Sequence, residues 1–173
     1  MMKPDSAEYA PYYARYISLV ESHDIVTTLD RQEEETRRML ATLTEADGDY
    51  RYAPGKWSVK EVLGHIIDAE RIFACRALLI ARNDRTPLPG FEQDAYVEQA
   101  GFGAQRVGDL LTEFSAVRRT TVLLFRKLPS EAWQRRGIAD NKEISVRAIA
   151  WIIAGHELHH RKVLKEKYLT GGQ

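Results

Sequence analysis

Residues 145–160 read SVRAIAWIIAGHELHH, and the spacing of their apolar residues predicts a helix that faces the interior of a helical bundle. Inward-facing positions alternate between 3 and 4 residues apart, which is the seam by which one helix packs against others. These positions are Val146, Ile149, Ile153, His156, His160 and Val163. Ser145 is a favourable N-cap, so we expect the helix to run from Ser145 to about Tyr168. Two histidines thus occupy predicted core positions.

Four other segments upstream have helical periodicity. They are a short N-terminal helix with Tyr9, Tyr12, Tyr13 and Tyr16 on one face, a helix from Asp24 to about Thr44, one from Ser58 to about Arg82, and one from Val107 to about Leu128. Ser58 and Glu61 have the S-x-x-E spacing of a capping box, which is the clearest helix start in the chain. Residues 130–135 are expected to add one turn, and no strand-like alternation competes with these predictions. The sequence therefore predicts an all-α fold, a four-helix bundle with a short N-terminal helix.

A long connection between the second and third bundle helices, residues 83–105, is rich in proline and glycine. Its helix-breaking residues are Pro87, Pro89, Gly90, Gly101 and Gly103. Connections of this length are uncommon in compact bundles unless they cover something. We interpret it either as a lid or as an ordinary surface loop.

Length and composition predict one domain spanning residues 1–173. The 173 residues are 44% hydrophobic, and 25 basic residues balance 25 acidic ones without forming a basic stripe. Nucleic acid and an anionic membrane are therefore poor candidates for a partner. The start of the sequence has no apolar secretory signal and the chain no membrane-spanning run, so we expect a cytoplasmic protein. The single cysteine, Cys75, forms no internal disulfide and is expected to be buried.

Three histidines have the spacing of metal ligands. In the helix after Ser58, the inward-facing positions are Val62, His65, Ala69 and Ile72. A buried imidazole without partners costs roughly 1–3 kcal/mol for each unsatisfied group, whereas one shared ion would satisfy several rings. His156 and His160 lie one helical turn apart and face the same side. If the two helices are neighbours, His65, His156 and His160 hold one divalent metal ion and leave positions for water or substrate.

The same segment also matches H-E-x-x-H, the zinc motif of metalloproteases, through His156, Glu157 and His160. Such enzymes take a third ligand downstream, where Glu166 would be carried along the helix away from the ion. His65 is the better third ligand, so we rank a protease below the bundle hypothesis.

Two acidic residues are candidate catalytic groups. Glu157 lies inside the motif, and Asp68 follows His65 by three residues on nearly the same helix face. Either carboxylate would serve as a base or would orient an imidazole, and either is equally well read as an ordinary surface acid. Glu92 and Asp94 in the long connection are available as a fourth ligand.

Three segments closely resemble the DinB/YfiT-like family of metalloenzymes, which are four-helix bundles with a three-histidine site. They are YRYAPGKWSVKEVLGH at residues 50–65, PLPGF at residues 87–91 and IIAGHELHH at residues 152–160. The resemblance implies His65, His156 and His160 as ligands, zinc or nickel as the ion, and a homodimer. It also implies relatives that act on low-molecular-weight thiols such as bacillithiol, mycothiol or glutathione.

The leading functional hypothesis is a metal-dependent hydrolase or a low-molecular-weight-thiol S-transferase acting on a small molecule. In it, the ion lowers the pKa of a water or thiol and so supplies a nucleophile. The rival is a non-catalytic bundle, tied together by the metal and acting as a stress-related binding protein. Three protein ligands favour the enzyme, because structural zinc sites are usually closed by four.

Overall fold

Helices make up most of the chain in the computed structural model, which describes residues 2–169; residues 1 and 170–173 of the predicted domain lie outside that range. The helices are α1 (Ala14–Ile17), α2 (Ile25–Leu40), α3 (Glu45–Asp49), α4 (Val59–Ala81), α5 (Gln93–Ala100), α6 (Val107–Arg126) and α7 (Val146–Val163), and the strands are β1 (Arg136–Ala139) and β2 (Lys142–Ser145). Short 3-10 turns lie at Ser6–Glu8, Pro11–Tyr13, Phe102–Ala104 and Ser130–Gln134, and α7 continues into a π-helical turn at Leu164–Tyr168.

Side-chain caps fix the predicted helix starts. The Ser58 hydroxyl accepts a hydrogen bond from the Glu61 N–H at 3.2 Å, and the Glu61 carboxylate accepts one from the Ser58 N–H at 2.6 Å. The predicted capping box at the start of α4 is therefore present. Ser145 similarly caps α7 by accepting from the backbone N–H of Ala148 at 2.9 Å.

The second predicted helix ends earlier than expected. It stops at Leu40 instead of continuing to Thr44. The reason is a second cap: the Thr44 hydroxyl accepts from the Asp47 N–H at 3.2 Å, and the Asp47 carboxylate accepts from the Thr44 N–H at 2.8 Å. This reciprocal pair starts the separate helix α3, which the sequence analysis missed.

The four long helices α2, α4, α6 and α7 form the bundle and confirm the all-α prediction. Around the bundle, α2 packs on α6, α6 on α4, α4 on α7, and α7 on α2. The neighbour relation of α4 and α7 is the one that the three-histidine hypothesis requires. No helix within residues 2–169 has the length and apolar character needed to cross a membrane. Cys75 on α4 is exposed, so the expectation that it is buried was wrong.

The N-terminal helix is shorter than predicted. Tyr9 is extended, and the helix that carries the other three tyrosines covers residues 11–17, first as a 3-10 turn and then as α1. Helix α1 packs directly against α7 at Gly155. A Cβ added to Gly155 would lie 2.1 Å from the backbone oxygen of Tyr16, so only glycine permits this approach.

A β-hairpin precedes α7, where the sequence analysis expected no strand. Strands β1 and β2 pair antiparallel, and the turn residues Asp140 and Asn141 have φ angles of 52° and 57°. Positive φ at both central residues is the backbone of a type I′ turn, for which Asp and Asn are favourable. Asp140-Asn141 was therefore the signal that would have found the hairpin.

The long connection contacts the hairpin near its start and the bundle near its end. Near its start, the Leu88 N–H donates to the Ile138 oxygen at 2.9 Å, and the Asp140 N–H donates to the Leu88 oxygen at 3.0 Å. Near its end, Phe102 packs on Gly64, where a Cβ would lie 2.4 Å from the phenyl ring. Between these contacts, α5 lies across the bundle against α4.

Candidate metal centre

Three imidazoles converge where α4 and α7 pack together. The Nε2 atom of His156 lies 3.0 Å from Nε2 of His65 and 3.1 Å from Nε2 of His160. One nitrogen from each of the three rings falls within 4.8 Å of the other two. The structure thus brings together the three histidines that the sequence analysis singled out.

Helix geometry explains this convergence. His65 lies two turns after the Ser58 cap on α4, while His156 and His160 lie one turn apart on α7. Residues four apart on a helix face the same side, so both α7 rings point towards α4. His65 is 3% exposed and His156 6% exposed, and His160 is half-buried.

The contacts among the rings cannot all be hydrogen bonds. An imidazole Nε2 carries either one hydrogen or one lone pair in the ring plane, so His156 Nε2 makes one good hydrogen bond. It has two close nitrogen neighbours. Two nitrogens bound at ~2.1 Å to one ion lie roughly 3.0–3.4 Å apart, so the observed separations fit a shared cation. The donor set therefore fits a divalent metal ion.

Burial keeps the three rings neutral. It lowers the pKa of the His65 imidazole to about 4. It also lowers the pKa values of His156 and His160 well below the ordinary value, and each of these is lowered further by the neighbouring histidines. Neutral imidazoles have free lone pairs near pH 7, and only that form binds a metal.

Aromatic side chains hold the rings in place. The centroid of the Trp57 ring system lies 4.8 Å from that of His65, and the Tyr16 ring centroid lies 5.3 Å from that of His156 in an edge-on arrangement. His159 lies beside His160, with ring centroids 5.1 Å apart. It is half-buried and does not belong to the cluster of three.

The surroundings of Glu157 do not favour the catalytic role predicted for it. Its carboxylate is buried, accepts a hydrogen bond from the Thr36 hydroxyl, and lies 2.6 Å from Nη2 of Arg118. Arg118 in turn donates to both carboxylate oxygens of Glu70, at 2.8 and 2.7 Å. Burial by itself lowers the pKa of Arg118, but the two carboxylates outweigh it and raise that pKa. These contacts occupy Glu157 inside the bundle, which argues against the H-E-x-x-H interpretation.

Asp68 faces a surface ion pair. Its carboxylate lies 3.5 Å from Nη1 of Arg71, and Arg71 also lies 2.6 Å from Glu113. Partial burial raises the pKa of Asp68, an effect that Arg71 partly opposes. The Asp68 carboxylate forms its ion pair with Arg71, so its role as a base or as a group that orients an imidazole stays a prediction.

Two cavities reach the histidines from different sides. One, of about 480 Å³, includes His65 and His156 in its walls. The other, of about 640 Å³, includes His159 and His160. Both are bounded by Gln93 and Asp94 at the start of α5, so the long connection contributes to the walls of both cavities, and its role as a lid stays a prediction. The hairpin turn and Arg76, which also line the first cavity, were missed by the sequence analysis.

Comparison with known proteins agrees with this architecture. A profile of the DinB superfamily matches residues 28–164, so the chain belongs to that superfamily. Among solved structures, it is similar to YfiT from Bacillus subtilis, described as a probable metal-dependent hydrolase with an unusual four-helix bundle topology. That similarity has a TM-score of 0.75 at 18% identity and covers 92% of this chain and 91% of YfiT.

A second similar structure is the mycothiol-dependent maleylpyruvate isomerase. The TM-score is 0.67 at 11% identity, and the match covers 84% of this chain but only 61% of the isomerase chain. A search of curated protein sequences finds no match. The family and the four-helix-bundle fold predicted from the sequence are therefore confirmed.

Proposed function

We propose that this protein is a metal-dependent enzyme that acts on a small molecule, either as a hydrolase or as a transferase of a low-molecular-weight thiol. The observation that carries the proposal is the convergence of three neutral imidazoles, two of which line one cavity while the third lines a second cavity. An ion held by three protein ligands keeps at least one position open, which is the arrangement of catalytic sites rather than of structural ones.

His65, His156 and His160 are the proposed ligands. A divalent ion bound there would supply the acidity that turns a water or a thiol into a nucleophile near neutral pH. The chain itself contributes the fixed orientation of the rings, through Trp57 and Tyr16, and the cover formed by the start of α5. Both features limit the access of bulk water to the reacting groups.

Two relatives support the choice of reaction classes. YfiT is described as a probable metal-dependent hydrolase, and the isomerase as mycothiol-dependent. We extend metal dependence and the use of a small thiol to this chain as proposals, with zinc or nickel as the proposed ion and a homodimer as the proposed assembly. Glu157 takes no part in the proposed reaction, because Arg118 and Thr36 already bind its carboxylate.

Metal content tests the ligand set. We would purify the protein without a histidine tag and measure bound metals by mass spectrometry, alongside His160→Ala and His159→Ala. We expect about one divalent ion per chain in the wild type and in His159→Ala, and a large loss in His160→Ala. His159 is the matched control because it lies on the same helix beside the site but outside the cluster. Equal, negligible metal in all three proteins would refute the proposal.

Turnover separates the enzyme from the metal-stabilised binding protein. The metal-loaded protein would be assayed with simple esters, and with electrophilic thiol acceptors in the presence of bacillithiol, mycothiol or glutathione. Metal-dependent turnover that His160→Ala abolishes supports the enzyme. Absence of turnover in every assay, combined with a large rise in melting temperature on metal addition, would favour the non-catalytic rival.

A further inference from the structure

One face of α4 forms a wall of the 480 Å³ cavity, from the metal centre to a buried arginine. His65, Ala69, Phe73 and Arg76 follow one another at steps of 4, 4 and 3 residues, and all four line this cavity. His65 and Arg76 are therefore about 16 Å apart along the helix axis, at ~1.5 Å per residue. The cavity has two chemically different ends.

Arg76 is buried without an acidic partner. It is 4% exposed, and no carboxylate within residues 2–169 forms an ion pair with it. Its guanidinium donates to the backbone oxygen of Pro89, interacts with the Tyr13 hydroxyl, and lies 5.5 and 5.8 Å from the ring centroids of Phe73 and Phe91. The equally buried Arg118, by contrast, is bound by two carboxylates. A desolvated cation without an anion is costly, and a bound anion would remove that cost.

The charged groups at the cavity rim differ from Arg76 in exposure. Glu92, Asp94, Asp140 and Lys142 line the same cavity, but all four are exposed to solvent. Water screens their charges, so each contributes little to ligand affinity. Inside the cavity, where water does not screen charges, a ligand therefore interacts mainly with the charge of the Arg76 guanidinium.

The remaining walls are largely aromatic. Phe73, Phe91, Tyr13 and Tyr16 surround the space between Arg76 and the histidines. Such walls bury an apolar ligand body and leave the ligand's polar ends to be matched by the protein. A guanidinium has five N–H donors in a planar fork, and the Pro89 oxygen and the Tyr13 hydroxyl use part of them. The remaining N–H groups match the oxygens of a carboxylate.

We propose that the cavity binds a small organic carboxylate, with the carboxylate on Arg76 and an apolar body extending along Phe73 towards His65 and His156. The inference names a substrate class for the proposed function and rests on that function in one respect. The reacting group of the substrate lies at the end of the cavity formed by the histidines. Arg76 is thus a specificity-determining residue, placed at the opposite end of the cavity from the proposed metal ion.

The test compares three probes of one shape: 4-phenylbutyrate, 4-phenylbutanamide and 4-phenylbutylamine. Binding is measured by calorimetry or ligand-observed NMR, with the protein both metal-loaded and stripped by a chelator. In the wild type we expect the carboxylate to bind at least 10-fold more tightly than the amide, with or without metal. Arg76→Gln should weaken the carboxylate by about 10- to 100-fold and leave the amide unchanged.

Two further variants make the test specific. Lys142→Gln removes an exposed cation from the same cavity and should change carboxylate affinity by less than about 3-fold. Arg76→Lys keeps the charge but loses the planar fork, so its affinity should fall between those of the wild type and Arg76→Gln. Circular dichroism establishes that each variant is folded. If Arg76→Gln does not fold, the comparison of the three probes on the wild type decides the question alone.

Several results would overturn the proposal. They are tighter binding of the amine, equal binding of carboxylate and amide to the wild type, unchanged carboxylate affinity in folded Arg76→Gln, and no binding of any probe at millimolar concentration. Carboxylate binding only to the metal-loaded protein would place the carboxylate on the ion and would also refute the role of Arg76. Since the stripped protein is measured separately, failure of the metal proposal would not be mistaken for failure of this one.

Discussion

His156 and Glu157 are neighbours on α7, yet they belong to two different buried polar clusters. The clusters differ in whether each polar group has a partner of opposite charge. Glu157 joins a cluster in which every bundle helix takes part: Thr36 on α2, Glu70 on α4 and Arg118 on α6. His156 joins a cluster of neutral imidazoles from α4 and α7, with nitrogens 3.0 and 3.1 Å apart. The first cluster pairs opposite charges, whereas the second brings like groups together.

This difference separates residues that build the fold from residues that await a ligand. Arg118 and its two carboxylates satisfy each other within the chain, so the cluster ties the four helices together. In the histidine cluster, by contrast, His156 Nε2 has two close nitrogen neighbours but can make only one good hydrogen bond. Burial of a polar group is therefore not by itself a sign of function; burial without an internal partner is.

The largest expected effect comes from breaking the Arg118 cluster. Arg118→Met keeps much of the volume but leaves Glu70 and Glu157 buried without a cation, which should reduce the free energy of unfolding by about 3–5 kcal/mol. Chemical denaturation measures the loss. The control is Arg126→Met on the same helix: its ion pair with Asp30 is exposed, with a distance of 3.2 Å, and should contribute less than about 1 kcal/mol. Equal losses in both variants would remove the distinction between the clusters.

Metal addition should stabilise the protein only through the histidine cluster. At a free metal concentration 100 times the dissociation constant, the folded state gains about 2.7 kcal/mol. Denaturation of chelator-treated protein with and without added zinc or nickel measures this gain. His160→Ala should lose most of it, while His159→Ala should keep it. A gain of the same size in His160→Ala would mean that the ion binds elsewhere.

A smaller effect is expected from closing the gap between α1 and α7. Gly155→Ala places a methyl group 2.1 Å from the Tyr16 oxygen, so α1 must shift, at a cost of about 1–3 kcal/mol. Because Tyr16 packs on the His156 ring, metal affinity should fall as well. Gly108→Ala is the matched control, since a Cβ there meets nothing within 4 Å. Thermal melting and metal titration of both variants test this, and equal behaviour of the two would contradict it.

The smallest effect should be the contribution of His65 to the loss of stability on acidification of the metal-free protein. Burial lowers the pKa of His65 to about 4, whereas in the unfolded chain it lies near the ordinary value of 6.5. Between these values the unfolded state binds the additional proton, so stability falls as the pH decreases. From pH 6.5 to 5.5 His65 alone should cost about 1 kcal/mol. Denaturation at both pH values tests this, and the loss should shrink in His65→Asn; a loss of undiminished size would assign it to other groups.

Local signals in the sequence were sufficient for much of the fold. The capping box at Ser58 and the cap at Ser145 depend on residues three positions apart, so α4 and α7 were predicted to within a few residues of their starts. The early end of α2 and the hairpin were missed, although Thr44 with Asp47 and the pair Asp140-Asn141 carry equally local signals. Both features were missed because apolar periodicity was given more weight than cap and turn residues.

The candidate site was predictable only in part, because contacts between distant segments are not encoded in local spacing. The sequence by itself determined that His65, His156 and His160 face a bundle interior, since a helix has a fixed period. Only the tertiary structure decided that α4 and α7 are neighbours, that Glu157 is bound by Arg118, and that Arg76 lines the cavity without an acidic partner. Whether a buried charge is matched depends on which helices pack together, and packing is a property of the whole chain.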